Sequence, residues 1–352
     1  MCSILTTFDG SGGAFTVGAI SKKILEIIKC DGVTHEKLKQ VYENFRHRAL
    51  AMRRSAAKQL RMRIDTLFKD TIDFLSPRQR QKPLTISDIL IPSLYDNAKI
   101  SARFYRPDEG QNDLILYFHG GGWMQGSVQN DDDLCCKIAR GLEICVLSIE
   151  YRLAPENPFP IGLDDAVSSY VWANREEAWN VLHGNEFRNI YICGESSGGN
   201  LAASAILKIH DEFGKIKCPA GQILFYPPLS ANLFSASYDA FGKGHILTGE
   251  LLQNFYYNYL GQEFAFIDKS NSYIFPCSEP DATKFVKTLI IAAGLDPLRS
   301  SSEEFATKLR DAGVPVIYYC FSEVLHGFLG YHEAYAEEFA IALQKIAEWI
   351  ES

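Results

Sequence analysis

The sequence predicts an α/β protein with a mostly parallel central sheet flanked by helices. Three observations predict it. From about residue 85, short β-rich runs alternate with helical stretches. Those runs are continuously apolar, which is the pattern of strands buried on both faces. The chain has 352 residues and is 47% hydrophobic, enough for the large core such a sheet needs.

Residues 1 to about 18, broken by Asp9 and four glycines, read as a tail. AISKKILEIIKC (19–30) has a short helical pattern that Asp31-Gly32 ends. Thr34 opens a longer helix, to about residue 70. Leu38, Val41, Phe45, Ala49, Met52, Ala56, Leu60, Ile64 and Leu67 share one face of it. Between 37 and 63 it carries nine Lys or Arg and one acid, Glu43. A solvated face explains such a charge run; contact with an anionic membrane surface or an acidic partner is the sharper expectation. ISDILIP (86–92) and KISARFYRP (99–107) alternate like an antiparallel pair. Strand candidates follow at LILYFH (114–119), EICVLSIE (143–150), NIYICG (189–194), GQILFYP (221–227), KTLIIAAG (287–294) and VPVIYYCF (314–321). The segment 230–265 interrupts this rhythm. It is rich in aromatics, Phe255, Tyr256, Tyr257 and Tyr259 among them, and reads as helical.

Composition narrows the function. A net charge of −8 argues against nucleic acid as a partner. No G-x-G-x-x-G or Walker pattern occurs, so no nucleotide cofactor is expected. The nine cysteines form no C-x-x-C pair and suggest no zinc site. Several lie in apolar runs, as free reduced thiols would. With no basic, apolar leader and no run near the roughly 20 apolar residues of a membrane span, the expected location is the cytoplasm.

The chemistry is carried by four short stretches. HGGGW (119–123) directly follows an apolar strand. Three glycines there cost folding entropy, and close approach of backbone N–H groups to a developing anion would explain them. GESSG (194–198) fits G-x-S-x-G between a strand and a helix, the setting of a nucleophile elbow that holds Ser196 above the sheet. A serine hydroxyl needs a base, and a base needs an acid to fix its tautomer. His326, in VLHGF, lies shortly after the last strand, and Asp296, in GLDPLRS, lies just beyond the one before it. Ser, Asp and His in that order, each after a late strand, is the order of the α/β-hydrolase fold. The expected catalytic residues are therefore Ser196, Asp296 and His326. The oxyanion donors are the N–H groups of Gly121, Gly122 and Ser197. Trp123 and the aromatics at 255–259, Tyr256 among them, are candidates for the substrate pocket. No metal or cofactor is required, and His332 is expected inside the final helix.

The chain resembles the hormone-sensitive-lipase-like family of α/β-hydrolase esterases. HGGGW at 119–123, EYRLAPENPFP at 150–160, GESSGGN at 194–200, LDPLRS at 295–300 and LHGF at 325–328 carry the resemblance, in order. It implies a carboxylesterase acting on short or medium acyl chains. It also implies a helical cap over the site, with 1–80 as tail and cap and 81–352 as the catalytic domain, which inserts a second cap segment near 230–265. Arg152, Glu150 and Glu156 are expected to pair with one another and hold the glycine loop. The family usually has Asp or Thr at Glu195, Ala at Ser197, and Asp-Glu-Gly where Ser300, Ser301 and Ser302 stand.

Two other functions share these residues. An aryl-amide or formamide hydrolase would use the same tetrahedral geometry. A non-catalytic ligand-binding protein on this fold would lose the histidine, which is present here. Oligomeric state is not legible in the sequence.

Overall fold

In the computed structural model the described residues are 83–352, apart from 109, 183, 215, 233 and 234. The tail, the short helix at 19–30 and the basic helix expected over 34–70 lie outside them, and so does any surface contact through 37–63.

Eight strands form one sheet among the described residues: β1 (Leu84–Pro92), β2 (Lys99–Pro107), β3 (Gln111–Phe118), β4 (Ile144–Glu150), β5 (Asn189–Glu195), β6 (Gly221–Phe225), β7 (Thr288–Leu295) and β8 (Val316–Leu325). Their spatial order is β1-β2-β4-β3-β5-β6-β7-β8. β2 runs antiparallel to both β1 and β4, and every other pair is parallel. The helices are α1 (Asp132–Leu142), α2 (Ile161–Ala173), α3 (Glu176–Leu182), α4 (Ser197–Glu212), α5 (Ala236–Phe241), α6 (Gly249–Leu260), α7 (Arg299–Asp311) and α8 (Ala336–Glu351).

The continuous apolar runs have a direct cause. Successive side chains of a strand point to opposite faces, and both faces here are covered. Leu114, Leu116 and Phe118 of β3 enter one core, with Leu163 and Val167 of α2, Leu201 and Ala205 of α4 and Phe305 of α7. Ile115 and Tyr117 enter the other, with Leu134 and Ile138 of α1 and Phe339, Ile346 and Trp349 of α8. β1 is an edge strand and mostly exposed, so it keeps the alternating polar pattern seen in the sequence.

This topology sets where the site forms. β3 lies between β4 and β5, so the chain leaves β3 in one direction and returns on its other side. Ligands in open parallel sheets bind outside the carboxyl ends of the strands, at such a switch. The register pairs Phe118 with Gly194, which puts the loop after β3 beside the turn after β5. The ends of β7 and β8 open on the same edge.

Candidate active site

Ser196 is the pivot of a sharp strand-to-helix turn. Its backbone has φ 52° and ψ −121°, a strained combination for a residue with a side chain. The turn is held by the Ser196 N–H, which donates to the Phe225 carbonyl at 2.9 Å, and by the Asn200 N–H on the Ser196 carbonyl at 3.1 Å. Strain of this kind persists only where surrounding structure imposes it, and here it lifts the hydroxyl off the sheet edge.

His326 directly follows β8, which runs four residues beyond the expected end at 321. Its Nε2 lies 2.9 Å from Ser196 Oγ, and its Nδ1 lies 2.7 Å from Asp296 Oδ2. A carboxylate only accepts, so Nδ1 carries the proton and Nε2 is free to accept from the serine. Asp296 is fully buried after β7, and its Oδ1 takes the Leu298 N–H at 2.8 Å. The structure thus brings Ser196, His326 and Asp296 into one line of hydrogen bonds.

The serine run after DPLR anchors the acid's surroundings. Ser301 Oγ accepts the N–H groups of Leu229 and Ser230 at 2.7 and 2.9 Å. Ser237 Oγ donates to the Pro297 carbonyl at 2.8 Å and accepts the Ser300 N–H at 3.0 Å. These bonds tie the start of α7 to the segment that follows β6.

The glycine loop folds back on itself. The Gly121 carbonyl accepts N–H groups from Met124 and Gln125 at 3.2 and 3.1 Å, and Gly121 and Gly122 have φ of 117° and 61°. The neighbouring YRLA stretch pins the loop: the Tyr151 hydroxyl donates to the His119 carbonyl at 2.9 Å, and the Ala154 N–H to the Trp123 carbonyl at 2.9 Å. The N–H of Gly120 is taken by Glu195 Oε1 at 3.3 Å. Gly121 and Gly122 follow Gly120 in the loop and line the cavity. Ser197 is buried at the first position of α4, where backbone N–H groups point out of the helix end.

A cavity of about 170 Å³ opens over Ser196 and His326. Gly120, Gly121 and Gly122 form one wall, and Ile246, Leu247, Leu251 and Phe255 form an apolar one. Asp131, Glu195 and Tyr226 also line it. Burial and then the neighbouring Glu195 push the Asp131 carboxyl well above the usual carboxylate range.

Three expectations are corrected. Trp123 and Tyr256 are not among the residues that line the cavity. Both are buried in the core, where Trp123 stacks on Tyr259 at 4.6 Å and lies 5.1 Å from Tyr256. The helical phase of α6 turns Leu251 and Phe255 to the cavity and Leu252, Tyr256 and Tyr259 into the core beneath it. Arg152 does not pair with Glu150 or Glu156. Its guanidinium is held by the buried Asp165 at 2.6 Å and by Asp96 at 2.6 Å, while Glu150 accepts the Val128 N–H at 2.6 Å and so fixes the far end of the glycine loop. His332 stands before α8, because the chain makes a 3-10 turn at Phe328–Tyr331 and the helix starts only at Ala336.

One group among the described residues has metal-ligand spacing. Asp133, His332 and Glu333 present ligand atoms within 4.8 Å of one another. Lys137 Nζ already sits 2.9 Å from Asp133 and 2.5 Å from Glu333. Its ammonium supplies the positive charge that those carboxylates need, so the cluster is explained as an ion-pair network.

A family model described as the alpha/beta hydrolase fold matches residues 115–330. The chain belongs to the α/β-hydrolase family. Its resemblance to the hormone-sensitive-lipase-like members is borne out among curated relatives. It is 34% identical to the carboxylic ester hydrolase LipN of Mycobacterium tuberculosis over 69% of this chain and 64% of that protein. It is 31% identical to an arylesterase of Saccharolobus solfataricus over 67% of this chain and 74% of that one. Among solved structures, an esterase of Pyrobaculum calidifontis superposes with a TM-score of 0.73 at 27% identity, covering 84% of this chain and 94% of that one. The chain thus spans just under two thirds of the mycobacterial relative and more of the other two.

Two residues of the site have no role legible in the sequence. Glu195 is the variable position of G-x-S-x-G, and its partner Tyr226 stands 31 residues away at the end of the next strand. Of the aromatics at 255–259, the structure places Phe255 on the cavity wall.

Proposed function

We propose that this hydrolase is a serine carboxylesterase for short- to medium-chain acyl esters. The observation that carries the reading is the relay from Ser196 Oγ to His326 at 2.9 Å and from His326 to Asp296 at 2.7 Å, open to an apolar cavity. Ser196 attacks the ester carbonyl while His326 Nε2 takes its proton. Asp296 stabilises the imidazolium and holds its orientation. N–H groups of Gly121, Gly122 and Ser197 receive the oxyanion. His326 then protonates the departing alcohol. Water, deprotonated by the same imidazole, releases the acid from the acyl-enzyme. The names of the relatives support ester cleavage.

The cavity supports the chain-length reading. At about 170 Å³ it is smaller than the roughly 300–1,000 Å³ of pockets for drug-sized ligands. Hydrolysis of p-nitrophenyl acetate, butyrate, octanoate and palmitate tests both claims, together with fluorophosphonate labelling mapped to its residue. The expected result is turnover of the short esters, little of palmitate, and a label on Ser196. Cleavage of anilides but not esters would move the reading to an amide hydrolase. No turnover and no label would move it to a binding protein.

Phe255 sets the depth of the apolar wall in this reading. Its ring lies against Gly122: a Cβ there would come within 2.4 Å of it. Phe255→Ala is expected to move the optimum to longer chains, with octanoate gaining about tenfold in kcat/KM relative to acetate. That follows from roughly 1–3 kcal/mol of apolar contact made or lost per small change in pocket volume. An unchanged ratio would exclude α6 from the acyl pocket.

The segment 230–265 acts as part of a cap in this proposal, since α6 walls the cavity. A cytoplasmic location is proposed from the cysteines: all seven among the described residues are free. Burial pushes the thiols of Cys136 and Cys145 up to about 11, which keeps them protonated and unreactive. No helix among the described residues is long and apolar enough to cross a membrane.

A further inference from the structure

Glu195 stands directly before the nucleophile, at the end of β5. The reaction outlined above makes no use of its carboxyl, yet that carboxyl lies in the middle of the site. Oε1 accepts the Gly120 N–H at 3.3 Å, and Oε2 accepts the Tyr226 hydroxyl. A Cβ on Gly120 would come within 2.8 Å of Oε1, so the carboxylate fills the space that the first glycine of the loop leaves. Tyr226 follows β6 with φ 39°, held by its N–H on the Ile291 carbonyl at 2.9 Å. Its ring meets the His326 imidazole edge to face, with centroids 4.9 Å apart. One carboxylate thus joins the glycine loop of β3 to the ring that braces the histidine after β8. The sheet makes this possible, because β3, β5 and β6 are neighbours in that order.

We infer that Glu195 is a positioning residue of the hydrolytic site: it fixes the Gly120 peptide against Tyr226, and so the oxyanion loop against His326, and sets negative charge beside the imidazolium formed in turnover. The inference rests on the serine-hydrolase reading above. A structural filler would need only the shape of this side chain, whereas a positioning carboxylate also needs its charge.

Burial and the partners of Glu195 act on its charge in opposite directions, and burial is the larger. Burial pushes its carboxyl up, while the Tyr226 hydroxyl, His326 and the Gly120 N–H favour its ionised form. The titratable groups that also feel its charge are Asp131 ahead of α1, Tyr117 on β3, Tyr151 just after β4 and Cys193 on β5. Asp131 accepts the Tyr117 hydroxyl at 2.9 Å and is pushed up by burial and by Glu195 itself. Two half-buried carboxyls that interact do not both ionise readily. Asp131 is raised further than Glu195, so of the two it is Glu195 that more readily carries the charge.

Glu195→Gln keeps the shape and removes the charge. Its kcat on p-nitrophenyl butyrate is expected to fall about 10- to 100-fold, with KM within about twofold, as for a group that acts in the transition state. The acid limb of its kcat/KM profile is expected to move to lower pH, because a negative charge beside His326 is gone. Tyr226→Phe should reproduce part of the loss in kcat, and the double variant should be no worse than Glu195→Gln alone, since the two act as one unit. Wild-type kcat and an unmoved profile in Glu195→Gln would overturn the inference, as would a loss that only tracks a lowered Tm. If Glu195→Gln does not fold, Tyr226→Phe carries the same test. If no ester is turned over, the rate and pH profile of fluorophosphonate labelling at Ser196 replace kcat, so failure of the ester reading is distinguished from failure of this one.

Discussion

Replacing Asp296 by Asn is expected to lower kcat by about four orders of magnitude while leaving the protein folded. The reason is specific to how this carboxylate is held. Oδ1 accepts the Leu298 N–H at 2.8 Å and Oδ2 accepts from His326 Nδ1 at 2.7 Å. An asparagine has one acceptor and one donor for those two places. Its amide nitrogen cannot face the Leu298 N–H without setting two donors against each other. The carbonyl must turn to Leu298, and the NH2 group to His326. Nδ1 then accepts, the proton moves to Nε2, and Nε2 can no longer take one from Ser196. The imidazole keeps its place in the wrong tautomer. Thermal unfolding should change little, because shape and the Leu298 bond survive in a fully buried site. Activity within tenfold of wild type would show that the Asp296 charge is not needed for turnover. The companion variant Asp296→Ala separates the effects, since it removes orientation along with the tautomer.

The strands of the parallel sheet are legible because burial on both faces removes polar residues from them. Where polar residues are buried, that signal fails. β3 starts at Gln111 instead of Leu114 because Asp113, though fully buried, is paired with Arg188 Nη2 at 2.8 Å and with the Asn189 N–H at 3.1 Å. Nothing local announces a partner 75 residues away. β8 runs on through Ser322 and Glu323 because it is an edge strand, whose outward positions tolerate polar side chains. That extension carries the chain to His326, the residue directly after the strand.

The line of serine, histidine and aspartate was legible for a similar reason. Each member sits at the carboxyl end of a recognisable strand, so chain order and strand order together predict their meeting. The residues around them were not. Glu195 occupies the position that the serine motif leaves unspecified. Its role depends on β5 and β6 lying in a register that pairs Glu195 with Phe225, one residue short of Tyr226. Phe255 and Tyr256 are adjacent aromatics on one amphipathic helix. Spacing separates the two faces of α6, but only the packing of Trp123 on Tyr259 and Tyr256 shows which face is core.

Gly121→Ala is the variant in which backbone geometry alone should remove the proposed oxyanion hole. At φ 117° an L-residue costs about 1–3 kcal/mol in backbone strain. The added Cβ would also stand 2.1 Å from the Gln125 carbonyl oxygen, and backbone cannot yield as a flexible side-chain end can. The turn closed by the Met124 and Gln125 N–H groups on the Gly121 carbonyl must therefore open. Opening it rotates the peptides of Gly121 and Gly122 together, because they flank the same Cα. The expected loss is about 10²- to 10³-fold in kcat, as for removal of one oxyanion donor, with KM little changed. A fall of several degrees in Tm should accompany it. Gly214→Ala serves as control, since the nearest neighbour of its Cβ is the His210 carbonyl at 3.4 Å, an ordinary contact. Ser196, His326 and Asp296 are untouched in Gly121→Ala, so fluorophosphonate labelling should persist at a reduced rate. A variant that loses stability yet keeps wild-type kcat would show that the loop's glycines serve its fold, and that the oxyanion is received elsewhere.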